Sequence, residues 1–216
     1  MNYKVDLHTH SIISPDGGLR EKDYADLLAK GVLDCIAITD HNETRFARVM
    51  HQTFGEKIII GEEITTTDGE MIGLFLTQTV PSGLSAKKTA EAIHDQGGVV
   101  LIPHPFETIR KGIQRPVLEQ MVEMIDVMEV FNGRGRWRGK AQEADAFAKQ
   151  NNLPGVADSD AHGVLGIGKT YSMFSAIPTR TTLVSLARKG QLQKVHAPPV
   201  AYLYPMVNSI KSRIKK

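Results

Sequence analysis

The chain has 216 residues, of which 41% are hydrophobic and 23% are charged, and its formal net charge is +2. These values are typical of one soluble globular domain, and the small net charge gives no argument for nucleic-acid binding. The longest apolar runs are far shorter than the roughly 18 residues that a membrane-spanning helix needs. Because Cys35 is the single cysteine, no disulfide can form within the chain, and we expect a cytoplasmic protein.

Short apolar runs alternate with amphipathic stretches along the chain. The predicted strands are Lys4–His8, Cys35–Thr39, Lys57–Ile60, Met71–Leu76, Val99–Pro103, Val127–Phe131, Pro154–Ala157 and Tyr171–Phe174. The predicted helices are Leu19–Lys30, Ser85–Gln96, Gln114–Ile125, Gly139–Asn151 and Thr181–Lys189. This alternation predicts an α/β fold with βα units around a parallel sheet. We expect one domain over residues 1–197, followed after Pro198-Pro199 by a short appendage, 198–216, that is not a separate domain.

The first strand carries a row of polar side chains. In Val5-Asp6-Leu7-His8-Thr9-His10, apolar and polar residues alternate, so Asp6, His8 and His10 share one face of a strand. Two imidazoles about 7 Å apart, with a carboxylate in the same row, can chelate a divalent cation such as zinc. Taken alone, the row also fits a polar strand face in water.

Similar residues recur after the later apolar runs. In a parallel α/β fold the active site lies at the carboxyl ends of the strands, and five of the eight histidines fall at such ends. The polar residues at predicted strand ends are His8, His10, Asp16, Asp40, His41, Glu62, Glu63, His104, Glu129, Asn132, Asp158, Asp160 and His162. Imidazole and carboxylate are the ligands of zinc, manganese and iron, and the pattern predicts a metal site.

Four short motifs resemble those of the PHP family, named for polymerase and histidinol phosphatase domains. They are Asp6-Leu7-His8-Thr9-His10, Thr39-Asp40-His41, His104-Pro105 and Ser159-Asp160-Ala161-His162. They occur in the family's order, each after a predicted strand, and the resemblance extends from residue 3 to about residue 175. It implies a distorted (βα)7 TIM-like barrel with two or three divalent metal ions (zinc, manganese or iron) at the carboxyl ends of the strands. Members of the family are mainly phosphoesterases.

The resemblance also implies which residues bind metal. One ion would be held by His8, His10, Glu63 and Asp160, and a second by Asp16, His41 and His162. A third would begin at His104 with Glu63 as a bridging ligand. The family's further histidine after the Val127–Phe131 strand is absent here, where Asn132 follows. Glu63 is preferred to Glu62 because the family pattern is Gly-x-Glu, starting at Gly61.

Two further groups of residues receive roles at the same site. We expect His41, Asp160 and His162 to be the catalytic residues among the metal ligands. Asp6 and Asp40 would orient ligand histidines without contacting the metal, as such sites generally require.

A basic loop follows the Val127–Phe131 strand. Arg134 and Arg136 could bind phosphate, and Trp137 could stack on a base or another ring. Arg138 belongs to the same cluster, and Arg110 and Lys111 are weaker candidates after His104-Pro105-Phe106. A solvated basic loop without a ligand is the simpler alternative.

Residues 163–170 match the phosphate-loop pattern G-x-x-x-x-G-K-[ST]. That motif needs a helix starting at the lysine, whereas Tyr171–Phe174 is predicted as a strand. We therefore expect a glycine-rich turn and no nucleotide triphosphatase.

The predicted function is metal-dependent hydrolysis of a small phosphomonoester or a nucleotide phosphoester by a metal-activated hydroxide. The expected partner is a small phosphorylated substrate, nucleotides included, with neither a membrane nor a stable nucleic-acid complex. One alternative is hydrolysis of C–N bonds as in amidohydrolases, although no lysine lies at a fitting strand end for carbamylation. Another is a non-catalytic binding module, which would be expected to have lost ligands. The sequence leaves the oligomeric state open.

Overall fold

The computed structural model describes residues 2–137 and 139–214, with the side chain of residue 213 left out. Within that part of the chain, the strands are β1 (Tyr3–Asp6), β2 (Cys35–Ile38), β3 (Ile58–Thr65), β4 (Glu70–Leu74), β5 (Val99–Ile102), β6 (Val127–Asn132), β7 (Gly155–Asp158), β8 (Tyr171–Phe174) and β9 (Gln191–Gln193). The helices are α1 (Glu21–Ala29), α2 (Arg45–Phe54), α3 (Ala86–Asp95), α4 (Arg115–Glu119), α5 (Ala141–Gln150), α6 (Leu183–Ala187) and α7 (Tyr204–Ile214).

The strands form one mixed sheet that curls into a nearly closed barrel. Their order is β7-β6-β5-β4-β3-β2-β1-β8-β9. β4 runs antiparallel to both β3 and β5, and β8 runs antiparallel to β1 and β9. The remaining pairs are parallel. Beyond the end of β1 the chain also pairs with the segment after β7, through a parallel bridge between Thr9 and Ala161.

Apolar side chains fill the barrel and separate it from the helices. One buried cluster draws residues from every strand from β1 to β8, Val5, Ala37 and Val127 among them, together with Leu183 of α6. Two further clusters join the opposite strand faces to the helices around them. Because apolar residues occupy both faces of the strands, the polar side chains that are buried concentrate at the carboxyl ends.

The last helix returns to the barrel rim. Residues 199–203 form a 3-10 helix that leads into α7. From α7, the Asn208 side-chain amide donates to the carbonyl oxygens of Asp16 and His162, at 3.0 and 3.1 Å. The C-terminal segment therefore contacts the loop that follows β1 and the loop that follows β7. That residues 198–216 are an appendage and not a separate domain stays a prediction.

The predicted α/β barrel is confirmed, although the exact (βα)7 count is not. All eight predicted strands are present, and β9, a three-residue edge strand, is additional. The five predicted helices are present too, with α4 shorter than expected because a 3-10 turn at Val122–Met124 replaces its second half. The antiparallel strands β4, β8 and β9 interrupt the expected parallel sheet. Among the helices of the described residues, none has the length and apolar character needed to cross a bilayer.

The glycine-rich stretch at 163–170 is a turn, as predicted. It leads directly into strand β8, so the chain does not form the strand–loop–helix arrangement of a phosphate loop.

Candidate metal centre

The carboxyl ends of the parallel strands bring the predicted ligands to one cleft. It has a volume of about 330 Å³. The cleft is lined by Asp16, His41, Glu63, Glu70, His104, Ile109, Arg110, Lys111, Arg134, Asp160 and His162. His8 and His10 lie fully buried beneath it. All eight residues predicted as metal ligands are therefore found in one cluster.

The deepest group contains the two histidines of the first strand. Their Nε2 atoms face each other at 3.1 Å. The Glu63 Oε2 atom lies 3.5 Å from His8 Nε2 and 3.2 Å from His10 Nε2. The Asp160 Oδ1 atom lies 3.7 and 3.6 Å from the same two nitrogens. These four residues are the set predicted for the first metal.

A second group lies nearer the opening of the cleft. The Asp16 carboxylate is 3.5 Å from His41 Nε2 and 3.2 Å from His162 Nε2. His41 also approaches the deeper group, with its Nδ1 atom 3.2 Å from Glu63 Oε2. Glu63 thus contacts histidines of both groups, which suits a carboxylate that bridges two cations.

The third predicted position differs from the family pattern in its ligands. His104 Nε2 lies 2.9 Å from Glu63 Oε1 and 3.9 Å from Glu70 Oε2. Asn132, where the family has a histidine, uses its side-chain oxygen to accept from Arg110 Nη1 at 2.5 Å. The available third set is therefore Glu63, Glu70 and His104, with Glu70 supplied by the antiparallel strand β4.

The donor chemistry of these groups fits divalent cations. Ring nitrogens and carboxylate oxygens within each of four sets lie within 4.8 Å of one another: His8-His10-Glu63, His10-His41-His162, His8-His104-Asp160 and Glu63-Glu70-His104. The facing Nε2 atoms of His8 and His10 can either share one proton or both bind a cation through their lone pairs. A cation between such nitrogens and the flanking carboxylates satisfies them, because imidazole and carboxylate are its usual ligands.

Neighbouring residues hold the histidine rings in place. The Glu129 Oε1 atom lies 3.3 Å from His8 Nδ1, and Glu129 Oε2 accepts from the His104 backbone N–H at 2.5 Å. His10 Nδ1 lies 3.2 Å from the Ser14 hydroxyl, which donates to Asp40 Oδ1 at 2.7 Å. Such contacts fix the tautomer and the orientation of ligand histidines.

The two aspartates predicted to orient histidines make different contacts. Asp40 acts on His10 through Ser14, as described above. The Asp6 Oδ1 atom instead accepts from the backbone N–H groups of Ser159 and His8, at 3.0 and 3.4 Å. The expected contact of Asp6 with a histidine ring is therefore replaced by contacts with the main chain, and Glu129 supplies the contact with the ring.

Two of the predicted ligands have a left-handed backbone. His104 has φ of 29° and Asp160 has φ of 50°, a region that costs a non-glycine residue about 1–3 kcal/mol. Both residues lie just after a strand, at a turn where the chain leaves the barrel edge. The strain places their side chains toward the cleft.

Opposite charges in the cluster shift each other's pKa values toward the ionised forms. Burial would raise the pKa of Glu63, but His8 and His41 outweigh it and hold that pKa well below its usual range. Burial would likewise lower the pKa of His41, yet Glu63 and Asp16 raise it to about 9. Glu63 and Asp160 are therefore ionised at neutral pH and able to bind cations, whereas burial and the neighbouring Glu63 raise the pKa of Glu70 to about 7.

The residues predicted for substrate binding are divided between the cleft and its surroundings. Arg134 Nη1 donates to Asp160 Oδ1 at 3.1 Å, so this side chain enters the cleft. Arg136 and Trp137 are exposed outside it, with the Arg136 guanidinium 5.7 Å from the centre of the Trp137 ring. Arg138 lies outside the described residues.

Sequence reasoning gave too little weight to three residues of the site. Arg110, a weaker candidate, donates to Asp160 Oδ2 at 2.7 Å and is held by the Glu107 carboxylate. Glu129 was recognised at a strand end but received no role. Glu70 was missed because only residues that follow strands were considered, whereas it begins β4.

Comparison with known proteins adds to this picture. A family model described as PHP-associated matches residues 139–192. An uncharacterized protein of Methanocaldococcus jannaschii, MJ0417, is 34% identical over 186 residues, which cover 81% of this chain and 71% of that protein.

Two solved structures share the fold. A two-domain protein from Bacteroides vulgatus, which contains a predicted PHP-like metal-dependent phosphoesterase, superposes with a TM-score of 0.74 and 19% identity, over 90% of this chain and 65% of that chain. An amidohydrolase from Chromobacterium violaceum superposes with a TM-score of 0.59 and 15% identity, over 88% and 98%.

The fold and the cluster define the class of protein. It is a βα barrel with a histidine- and carboxylate-rich site, suited to divalent metals, at the carboxyl ends of its strands. Together with the matching family model and the identity to its archaeal relative, this places the chain plainly: it belongs to the PHP-domain family.

Proposed function

We propose that the protein hydrolyses the phosphoester bond of a small substrate in a reaction that depends on divalent metal ions. The proposal rests on one observation, which is that two kinds of chemical group line the same cleft. A cluster of imidazoles and carboxylates, able to hold cations, lies beside Arg110 and Arg134, whose guanidinium groups suit the oxygens of a phosphoryl group.

The predicted metal ligands would form two sites, one deep in the cleft and one nearer its opening. His8, His10, Glu63 and Asp160 would hold the deeper ion, and Asp16, His41 and His162 the outer one, with Glu63 touching both groups. Divalent ions in such a site supply an activated water and neutralise charge on the phosphoryl oxygens. Glu63, Glu70 and His104 offer a third position.

The arginines would bind and orient the phosphoryl group. Arg110 is fixed by its two bonds to Glu107, at 2.8 and 2.6 Å, and by the Asn132 side chain. Arg134 lies 3.2 Å from His162 Nδ1 as well as close to Asp160. Because both guanidinium groups line the cleft at its Asp160 side, they can neutralise phosphoryl oxygens that the metal ions do not reach.

The ligand residues also control protons in the cleft. His41, 22% exposed at its side chain, lies at the opening, where it can exchange protons with solvent. His162, by contrast, is buried, and burial together with Arg134 lowers its pKa to about 4. A neutral His162 is suited to bind a cation rather than to donate a proton.

The first experiment combines metal analysis with a screen for phosphate release. Purified protein should contain, or regain on dialysis, at least two divalent ions per chain, and should release phosphate from a panel of phosphomonoesters and nucleotides. Protein that neither holds nor regains metal would contradict the proposal. So would metal-loaded protein that is inactive on every phosphoester but cleaves amides, as expected of the amidohydrolase alternative that one neighbouring structure keeps open.

The role of Arg134 is tested by substitution. Arg134→Ala should raise KM for a phosphorylated substrate, because the variant loses a guanidinium that faces the phosphoryl position. Arg45→Ala is a matched control, since that arginine is exposed on α2 and pairs only with Glu43 at the surface. An unchanged KM in the Arg134 variant would remove this residue from the substrate site.

A further inference from the structure

A second cavity, which we call the aromatic recess, adjoins the metal cleft. It also has a volume of about 330 Å³. Its walls are Glu107, Ile109, Arg110, Arg134, Trp137 and Tyr202. Three of these, Ile109, Arg110 and Arg134, line the metal cleft as well. The two cavities therefore meet along the arginines assigned above to the phosphoryl group.

Two aromatic rings form the far side of the recess. Trp137 is 63% exposed, an unusual position for the largest apolar side chain. Its ring centre lies 4.7 Å from that of Tyr202, at an angle of 55°. The rings come from distant parts of the chain, one from the loop after β6 and the other from the segment that leads into α7.

The Tyr202 ring is held in this place by its hydroxyl group. The hydroxyl accepts from the Arg136 backbone N–H at 3.2 Å and lies 3.4 Å from the Gly133 carbonyl oxygen, to which it can donate. Both contacts are to the loop that carries Trp137. The C-terminal segment thus contributes Tyr202 to the aromatic side of the recess and is joined to the loop that carries Trp137.

Two guanidinium groups, both held by ion pairs, form the edge between recess and cleft. Arg110 is bound through both Glu107 oxygens and through Asp160, so its guanidinium cannot swing away from this edge without breaking several charge-assisted bonds. Ile109, 62% exposed, adds an apolar surface beside it. A ligand here would meet cations at one end and apolar, aromatic surface at the other.

We propose that the aromatic recess binds a flat ring of the substrate whose phosphoryl group lies at Arg110 and Arg134. The substrate class is then a small phosphoester that carries an aromatic or heteroaromatic ring, either an aryl phosphate or a nucleotide. Rings stack on exposed tryptophan and tyrosine, and the stacking accepts any ring with a π face. This inference rests on the proposed function, since it takes the phosphoryl position from it.

Direct binding can be measured without any reaction, because Trp137 is the sole tryptophan of the chain. Metal-loaded protein is titrated with phenylphosphonate and, separately, with methylphosphonate, neither of which contains a hydrolysable ester. Phenylphosphonate should change the tryptophan fluorescence at lower concentration than methylphosphonate. Equal titration curves, or no change with either compound, would overturn the inference.

Kinetics with matched substrates test the same point and identify the ring. AMP is compared with ribose 5-phosphate, and phenyl phosphate with glycerol phosphate. Trp137→Ala should raise KM at least about fivefold for the ring-bearing member of the pair that the enzyme uses, the low end for losing one stacked ring. The ring-free member should keep its KM and kcat. Trp137→Phe should keep the KM for the ring-bearing substrate close to that of the wild type.

The controls separate this inference from the proposed function. Leu203→Ala changes an exposed neighbour of Tyr202 outside the recess and should leave all four substrates unaffected. If Trp137→Ala changes ring-bearing and ring-free substrates alike, the ring subsite is wrong while phosphoester hydrolysis stands. If no phosphate is released from any substrate, the proposed function fails, and the fluorescence titration decides whether the recess binds a ring.

Discussion

Buried carboxyl groups occur in two settings in this protein, and their charges differ. Glu63 and Asp160, the metal-facing carboxylates, lie among histidines and arginines, and both have pKa values held well below the usual range despite their burial. Asp6, Glu62 and Asp158, the backbone-bonded carboxyls, are equally buried but accept chiefly from main-chain N–H groups. Burial raises the pKa of Asp6 and Glu62 to about 7 and that of Asp158 well above its ordinary value.

The difference shows that burial alone does not mark a metal ligand. Cationic neighbours keep the first group ionised, whereas the second group relies mainly on main-chain dipoles, which offset less of the cost of burying a charge. In addition to burial, the neighbouring Glu129 raises the pKa of Asp158. Within the described side chains, one oxygen each of Asp6, Glu62 and Asp158 has no hydrogen-bond partner, as suits a carboxyl that carries a proton there. The partners of a carboxyl group therefore decide whether it can serve a cation.

Exchanging the two adjacent glutamates of β3 for glutamine gives the largest expected contrast. Glu63→Gln removes a charge shared by both metal groups, so we expect loss of bound metal and a fall in activity of at least about 100-fold, the upper end of what supporting residues cost. Glu62→Gln keeps an acceptor for the Val80 N–H and should change the free energy of unfolding by less than about 1 kcal/mol.

Metal content by elemental analysis, phosphate release and chemical denaturation measure these effects for both variants. A loss of metal in Glu62→Gln as large as that in Glu63→Gln would show that the two settings are not distinct.

A smaller effect is expected where a carboxylate supports the site without belonging to either setting. Glu129→Gln keeps an oxygen that can accept from the His104 N–H and the Asn132 side chain. Its amide NH2 group cannot accept from His8 Nδ1, which in the wild type faces Glu129 Oε1. We expect a loss of about 10- to 100-fold in metal affinity or activity. Competition with a chelator of known affinity measures the first quantity, and wild-type affinity would assign Glu129 to packing alone.

The backbone-bonded setting can be examined through pH. In the folded chain Asp6 keeps its proton up to about pH 7, whereas the ordinary pKa is 3.8. Between those values the folded state binds one proton more than the unfolded state, so this group lowers the free energy of unfolding as the pH rises. Asp6→Asn does not titrate and keeps an acceptor for the His8 and Ser159 N–H groups, so its stability relative to wild type should increase across this interval.

Denaturation of chelator-treated protein at both ends of the interval measures the difference. If the free energies of unfolding of the variant and the wild type differ by the same amount at both pH values, Asp6 has its ordinary pKa in the folded chain. Asp6 would then no longer belong with Glu62 and Asp158.

Much of the fold follows from the sequence, because each strand of the barrel is an apolar run bounded by polar or turn residues. All eight such runs were recognisable. Strand β9 was not, since Gln-Leu-Gln is short, half-exposed and held only by pairing with β8. The direction of β8 was also beyond the pattern, because alternation of apolar residues does not distinguish parallel from antiparallel neighbours.

The site could be predicted where its residues follow parallel strands. Glu70 escaped because β4 runs the opposite way, which brings its beginning to the edge where its neighbours end; Thr65 of β3 pairs with Glu70. Arg110 and Tyr202 lie on irregular segments whose course depends on tertiary contacts. The choice of Glu63 over Glu62 came from a family pattern, and the structure adds a physical reason, since adjacent residues of a strand point to opposite faces.

The contact of Asn208 with the carbonyl groups of Asp16 and His162 has a thermodynamic consequence. Docking of the last helix and ordering of the outer ligand loops share these two bonds, so each must favour the other to the same degree. Metal uptake should therefore slow amide hydrogen exchange in α7, and proteolytic removal of α7 should weaken binding of the outer ion. Helix α7 would in this way stabilise the loops that carry Asp16 and His162.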